Sequence, residues 1–313
     1  MAEIEMRALG DSGLATPRLV LGGNVFGWTA AGEEAFPILD RFADAGGTMV
    51  DTADVYSAWV TGHVGGESEA LLGEWLRRRG GKSDVSIATK VGYERGLSAA
   101  HIEEAAEASL RRLGVEAIDL YYAHKDDPET PLEETLGAFD RLVKAGKVRA
   151  IGASNYSAER LAEALDLSER EGLARFSVLQ PEYNLMARDK FEGAPQDLCV
   201  ARGIPALPYF GLASGFLTGK YRSEADLGKS VRGSRMKGYL DERGMRVLAA
   251  LDAVSAEAGA TPAQVALAWL AAQPGIAAPI ASATSLAQLE ELLGVLTLEL
   301  SAAQVARLSE ASA

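Results

Sequence analysis

The sequence predicts one α/β domain over residues 1–313, closed as a (β/α)8 TIM barrel, and three observations carry that expectation. Short apolar or β-branched runs alternate with longer amphipathic helical patterns nearly to the end of the chain, without a long linker. The runs number eight, as a closed parallel barrel requires. The competing doubly wound sheet lacks its Gly-x-Gly-x-x-Gly fingerprint, because Leu21-Gly22-Gly23-Asn24-Val25-Phe26-Gly27 spaces its glycines differently.

The expected strands are Arg18–Leu21, Thr48–Asp51, Val85–Thr89, Ile118–Ala123, Ala150–Ala153, Ser177–Gln180, Ile204–Leu207 and Gly275–Ile280. Helical patterns lie between them. In Glu67–Arg79, Ala70, Leu71, Leu72, Trp75 and Leu76 share a face, and in Pro131–Ala145 so do Leu132, Leu136, Phe139, Leu142 and Val143. Gly46, Gly114, Gly146, Gly172, Gly203 and Gly259 follow helical stretches, where a left-handed residue ends a helix. Thr261-Pro262 sets a capping hydroxyl before a proline suited to the first turn, and Ser98 is a weaker start signal. Tyr221 to Glu242 reads as a long loop between the seventh and eighth strands.

Composition narrows the function classes. The 313 residues are 48% hydrophobic and 24% charged, with a net charge of -13 that disfavours nucleic acid and anionic membrane surfaces as partners. The start, Met1-Ala2-Glu3-Ile4-Glu5, has no apolar signal core, and apolar stretches such as Ala263–Ala272 are too short to span a bilayer. The expected location is cytoplasmic, with a small-molecule partner and either a monomer or a homo-oligomer. The single cysteine, Cys199, reads as a buried helical thiol. His63, His101 and His124 have no ligand spacing between them, so no metal is expected.

In a barrel, chemistry gathers where strands meet their following loops. Asp51 ends the second expected strand, Lys90 follows the third, His124 the fourth, Ser154-Asn155 the fifth, and Gln180 ends the sixth. Tyr56 lies within reach of Asp51. Taken singly, each is ordinary: a turn-capping Asp, a solvated Lys, a core His, a loop Tyr. Together they make a proton-transfer unit. A phenol titrates near about 10, a neighbouring ammonium lowers that value, and a carboxylate holds the ammonium in place. A neutral His124 orients the substrate oxygen.

Those residues sit in motifs that resemble the aldo-keto reductases over nearly the whole chain. They include Asp51-Thr52-Ala53-Asp54-Val55-Tyr56, Gly65-Gly66-Glu67-Ser68-Glu69 with Leu71-Leu72-Gly73, and Ala88-Thr89-Lys90. The most diagnostic stretch is Ile118-Asp119-Leu120-Tyr121-Tyr122-Ala123-His124, continuing to Asp127-Pro128 and Thr130-Pro131-Leu132-Glu133-Glu134-Thr135. Gly152-Ala153-Ser154-Asn155, Gln180-Pro181-Glu182-Tyr183-Asn184 and Leu217-Thr218-Gly219-Lys220-Tyr221 are similar to later motifs, the last to the subgroup containing potassium-channel β subunits.

The resemblance implies an NAD(P)H-dependent reduction of aldehydes or ketones, with Tyr56 as general acid, Lys90 and Asp51 as its partners and His124 as substrate orienter. It implies cofactor contacts from Asn24 and Asp51 and nicotinamide contacts from Ser154, Asn155 and Gln180, with Tyr209 stacked on the ring. The backbone around Leu212, Ser214 and Leu217, with Lys220, is implied to hold the pyrophosphate, and Ser282, Thr284, Gln288 and Glu291 the adenosine end. Phe26, Trp28 and Trp59, with Asn24, Tyr93 and Tyr239, wall the substrate pocket, which suits small aldehydes, quinones or flat carbonyls. Tyr209-Phe210-Gly211-Leu212 stands where the family reads Tyr-Ser-Pro-Leu, and Ser282-Ala283-Thr284-Ser285 is neutral where NADPH-specific members carry a base. Hydroxyls, helix amides, and Arg232 or Arg235 are the candidates for a phosphate there, and NADP(H) is expected over NAD(H). Two other readings are a redox-sensing regulatory protein with slow turnover and an aldolase using Lys90 as Schiff-base nucleophile.

Overall fold

Seven strands lie parallel in one curled sheet in the computed structural model, which describes residues 4–81, 84–229 and 233–313. An unforeseen antiparallel hairpin, β1 (Arg7–Ala8) with β2 (Ala15–Thr16), precedes them. The sheet then runs through β3 (Val20–Gly22), β4 (Met49–Asp51), β5 (Ser86–Val91), β6 (Ile118–Ala123), β7 (Val148–Ser154) and β8 (Phe176–Gln180). β9 (Ile280–Ala281) pairs back onto β3.

Residues 204–209 close the gap. They bridge β8 at Leu179↔Ala206 and reach the stretch before β9 at Ala206↔Ile276, so eight staves complete the ring. The seventh and eighth staves are shorter than expected, and proline explains it. Pro205, Pro208, Pro274 and Pro279 offer no N–H, so the ladder keeps only a few bonds, such as Ala206 N–H to Gly275 O, Leu207 N–H to Leu179 O and Ala277 N–H to Ala206 O.

Side-chain alternation sorts the strands into two cores. Val20, Met49, Ala88, Leu120, Tyr122, Ala150, Val178 and Leu207 form the inner cluster, joined by Leu9 of the hairpin. Ile87, Tyr121, Ile151 and Leu179 face the helices. The inner series, continued two residues at a time, ends at Asp51, Lys90, His124, Ser154 and Gln180. The barrel's own period therefore aims those side chains at one mouth.

The outer ring comprises α1 (Phe36–Asp44), α2 (Glu67–Arg78), α3 (Ala99–Leu113), α4 (Leu132–Lys144), α5 (Ala158–Glu171), α6 (Ala194–Arg202), α7 (Glu242–Ala258), α8 (Pro262–Ala271), α9 (Leu286–Leu293) and α10 (Ala302–Ala311). Gly114, Gly172, Gly203 and Gly259 cap their helices at φ of 68°, 64°, 65° and 62°, while Gly46 and Gly146 lie one residue past the cap. Thr261 makes a full capping box with Gln264. Cys199 is buried in α6, and burial pushes its thiol up to about 12. Two 3-10 segments, Glu224–Lys229 and Gly233–Tyr239, occupy the expected long loop. Among the described residues no helix is long and apolar enough to cross a membrane.

Candidate active site

Lys90 ends the inward series of β5 with no exposed surface. Its ammonium donates to Asp51 Oδ2 at 2.7 Å, the Thr52 carbonyl at 2.7 Å and Tyr56 Oη at 2.9 Å. Three oxygens around three N–H groups satisfy a charge that would be prohibitive to bury alone. Asp51 is anchored from its other side by Gln180 Nε2, which donates to Oδ1 at 2.8 Å.

Tyr56 reaches this cluster because the chain turns sharply after β4. Ser57 takes a left-handed φ of 76° and its buried hydroxyl donates to the Phe26 carbonyl at 3.1 Å. Such a backbone is strained for serine, and the bond to the neighbouring loop holds it. Burial and the Asp51 carboxylate hold the Tyr56 phenol well above its ordinary value. This reverses the lowering expected from Lys90, whose own ammonium is lowered by burial against the opposing pull of Asp51. Tyr56 is thus a neutral phenol at physiological pH.

His124 is buried, and burial with the charges of Lys90 and Lys125 lowers it well below the ordinary imidazole range, so it is neutral. Its ring centroid lies 6.0 Å from that of Tyr56 and 4.9 Å from that of Tyr93. Asn155, at a left-handed φ of 57°, donates to the His124 carbonyl and to Ser154 Oγ, both at 3.0 Å. Tyr209 Oη donates to Asn155 Oδ1 at 2.7 Å, and Ser154 Oγ donates to the Gln180 carbonyl at 2.9 Å.

The aromatic wall differs in one member from expectation. Trp28 and Trp59 pack edge-on at 5.7 Å, and Trp59 meets Tyr56 at 6.1 Å. Phe26 does not line the mouth: it has no exposed surface and belongs to the outer core. The three-residue step from Val25 to Trp28 turns only the tryptophan outward. Tyr239 packs on Phe216 at 5.1 Å.

Farther along the rim, Leu212 and Ser214 are partly exposed and Lys220 is exposed, whereas Leu217 is fully buried and offers no surface. Ser214 and Gly215 are left-handed at 57° and 103°, and a Cβ on Gly215 would meet nothing nearer than Lys220 at 3.9 Å. Ser282 Oγ donates to Asn24 Oδ1 at 2.7 Å, joining the ends of β9 and β3. Thr284 donates through N–H and hydroxyl to Gln288 Oε1, at the start of α9 where Ser285 is the cap. Glu291 accepts at its carbonyl from Gln264 at 2.7 Å. Arg235 is exposed, and Arg232 lies outside the described residues.

The Aldo/keto reductase family pattern matches residues 18–313. The chain belongs to the aldo/keto reductase family. It is 34% identical over 301 residues to a probable voltage-gated potassium channel subunit beta of Arabidopsis thaliana, covering 92% of this chain and 90% of that one. The aldo-keto reductase yakc [NADP(+)] of Schizosaccharomyces pombe is 32% identical, over 88% of this chain and 81% of its own. The L-glyceraldehyde 3-phosphate reductase of Escherichia coli K12 is also 32% identical, over 92% and 86%. Family and relatives together mark the protein as an oxidoreductase of the nicotinamide-using kind.

Sequence reasoning missed two site contacts. The Thr52 carbonyl is backbone, which any residue supplies. The Gln180–Asp51 bond joins residues 129 positions apart and leaves no local signal.

Proposed function

We propose that this aldo-keto reductase reduces aldehydes or ketones to alcohols, with NADP(H) preferred over NAD(H). The observation that carries the reading is the Tyr56 hydroxyl 2.9 Å from a fully buried Lys90 that is itself held by Asp51. The donor set fits a nicotinamide dinucleotide. Ser154, Asn155 and Gln180 gather hydroxyl and amide groups beside the flat ring of Tyr209, Lys220 brings a cation next to open backbone at Gly215, and Ser282 and Thr284 add hydroxyls near a helix start. When bound, the nicotinamide supplies a hydride.

Tyr56 gives its proton to the carbonyl oxygen as that oxygen gains charge. A high-affinity phenol is a poor acid in isolation, and Lys90 compensates by stabilising the phenolate left behind. Asp51 keeps Lys90 charged, and Gln180 keeps Asp51 turned toward it. Neutral His124 hydrogen-bonds the same oxygen without competing for the proton. Trp28 and Trp59 shield the reacting groups from water.

Fluorescence titration of the purified protein with NADPH and NADH tests the cofactor assignment, with tighter NADPH binding expected and quenching by neither as the contrary result. Tyr56→Phe is expected to lower aldehyde-dependent NADPH oxidation by about 10²–10⁴-fold while retaining NADPH binding; wild-type turnover would exclude Tyr56 as the donor. The likeness to a channel subunit supports a second reading, a cofactor-sensing regulator with slow turnover. A wild-type turnover number far below about 1 per second would favour it.

A further inference from the structure

The active-site mouth contains a second cation, outside the Asp51–Lys90–Tyr56 unit. Lys125 follows His124 directly, is exposed, and sets its ammonium 5.2 Å from the Tyr93 ring centroid, the ring that lies 4.9 Å from His124. A cation–π contact of this kind restrains a side chain without neutralising its charge.

Asp126 and Asp127, next to it in sequence, are bonded to other groups, although, beside the Thr130 hydroxyl, the Lys125 charge also helps hold the Asp127 carboxyl low. Asp126 pairs with Arg160 at 2.9 Å. Asp127 accepts from Leu97 N–H at 2.7 Å, Glu129 N–H at 3.1 Å and the Thr130 hydroxyl at 2.7 Å. Among the described residues, no carboxylate lies within ion-pair distance of Lys125. The aromatic rim beside it, Trp59 and Tyr93, is about half exposed and uncharged. On the other side of the mouth Glu182 bridges to Tyr209, and its charge acts on the phenols of Tyr209 and Tyr239. Among the described residues, the mouth therefore carries one cation without an ion-pair partner beyond β6, Lys125, and a carboxylate beyond β8, Glu182.

We infer that Lys125 is an anion-binding subsite, and that the preferred substrates are carbonyl compounds carrying a carboxylate or phosphate. The Lys125 ammonium would hold the anionic end on its own side of the mouth, away from Glu182, and leave the carbonyl end for Tyr56. The inference rests on the reductase reading and specifies its substrate class.

The test compares kcat/KM with NADPH for two pairs: 4-carboxybenzaldehyde against methyl 4-formylbenzoate, and glyceraldehyde 3-phosphate against glyceraldehyde. The wild type is expected to prefer the anion in at least one pair, and that pair names the anionic group. Lys125→Ala should reduce the preference about tenfold, the scale of one charge-assisted hydrogen bond, mainly through KM. Lys125→Glu should invert it and Lys125→Arg restore it. Turnover without an anion preference, or a preference unmoved by Lys125→Ala and Lys125→Glu, overturns the subsite. No NADPH oxidation with any of the four defeats the reductase reading itself, and the inference with it.

Discussion

Lys90 is folded into the protein without solvent, and the oxygens of Asp51, Thr52 and Tyr56 make that possible. A second ionisable group behind them is less well compensated. Asp54 shares its surroundings with Glu69, which is fully buried and bonded by Thr89 at 2.6 Å and by Arg112. Burial, then the Glu69 charge, raise the Asp54 carboxyl from 3.8 to about 7, with Arg112 and Lys90 opposing. The folded state therefore holds this proton more tightly than the unfolded chain does. The stability that goes with it is full below 3.8 and is lost as pH rises through about 7. Asp54→Asn cannot ionise, so its melting temperature relative to wild type should rise between about pH 4 and about pH 7 and level off above that. A constant difference would show that Asp54 does not titrate there. At this scale the sequence is legible where residue type and strand end coincide, as for Asp51, Lys90, His124, Ser154 and Gln180. It misleads where burial competes with charge: Lys90 alone argues for an acidic Tyr56, whereas desolvation and Asp51 win.

At the scale of elements, alternation along strands and periodicity along helices were readable because each has a buried face. What the pattern could not convey was the effect of proline on pairing in the last two staves, where the apolar run is present but the N–H groups are not. Helix contacts add a constraint visible in retrospect. Gly73 in α2 faces α3 so closely that an added Cβ would overlap the Arg112 carbonyl oxygen, with the Leu113 backbone 2.9 Å away. Backbone cannot rotate aside as a side chain does. Gly73→Ala should therefore cost about 1–3 kcal/mol, despite alanine's better helix propensity. Because Arg112 pairs with Glu69 beneath the site, the same shift should loosen that pair. A denaturant midpoint equal to or above wild type would mean the two helices can separate freely.

Across the whole molecule, the two ends of the barrel separate binding from stability. The chemistry-bearing side chains lie at the C-terminal ends of the strands, whereas the β1–β2 hairpin belongs to the other end. Its sequence carries no helical or long strand pattern, which is why the eight-stave reading passed over it. Its role comes from tertiary contacts. Leu9 is fully buried in the inner cluster with Val20, Met49 and Leu120, and Arg7 donates to the carbonyls of Ala271 at 2.8 Å and Ala277 at 3.1 Å. Those carbonyls flank the stave whose prolines weaken its pairing, so the hairpin seals the barrel where the ladder is thinnest. Leu9→Ala should then destabilise by about 2–5 kcal/mol, the range for truncating a buried leucine. The affinity for NADPH should stay within about twofold of wild type, since the cavity opens far from the mouth. Denaturant unfolding and the fluorescence titration measure the two quantities on the same protein. Loss of cofactor affinity in step with stability would mean that the barrel transmits strain from floor to mouth, and that the inner cluster belongs to the site as well as to the fold.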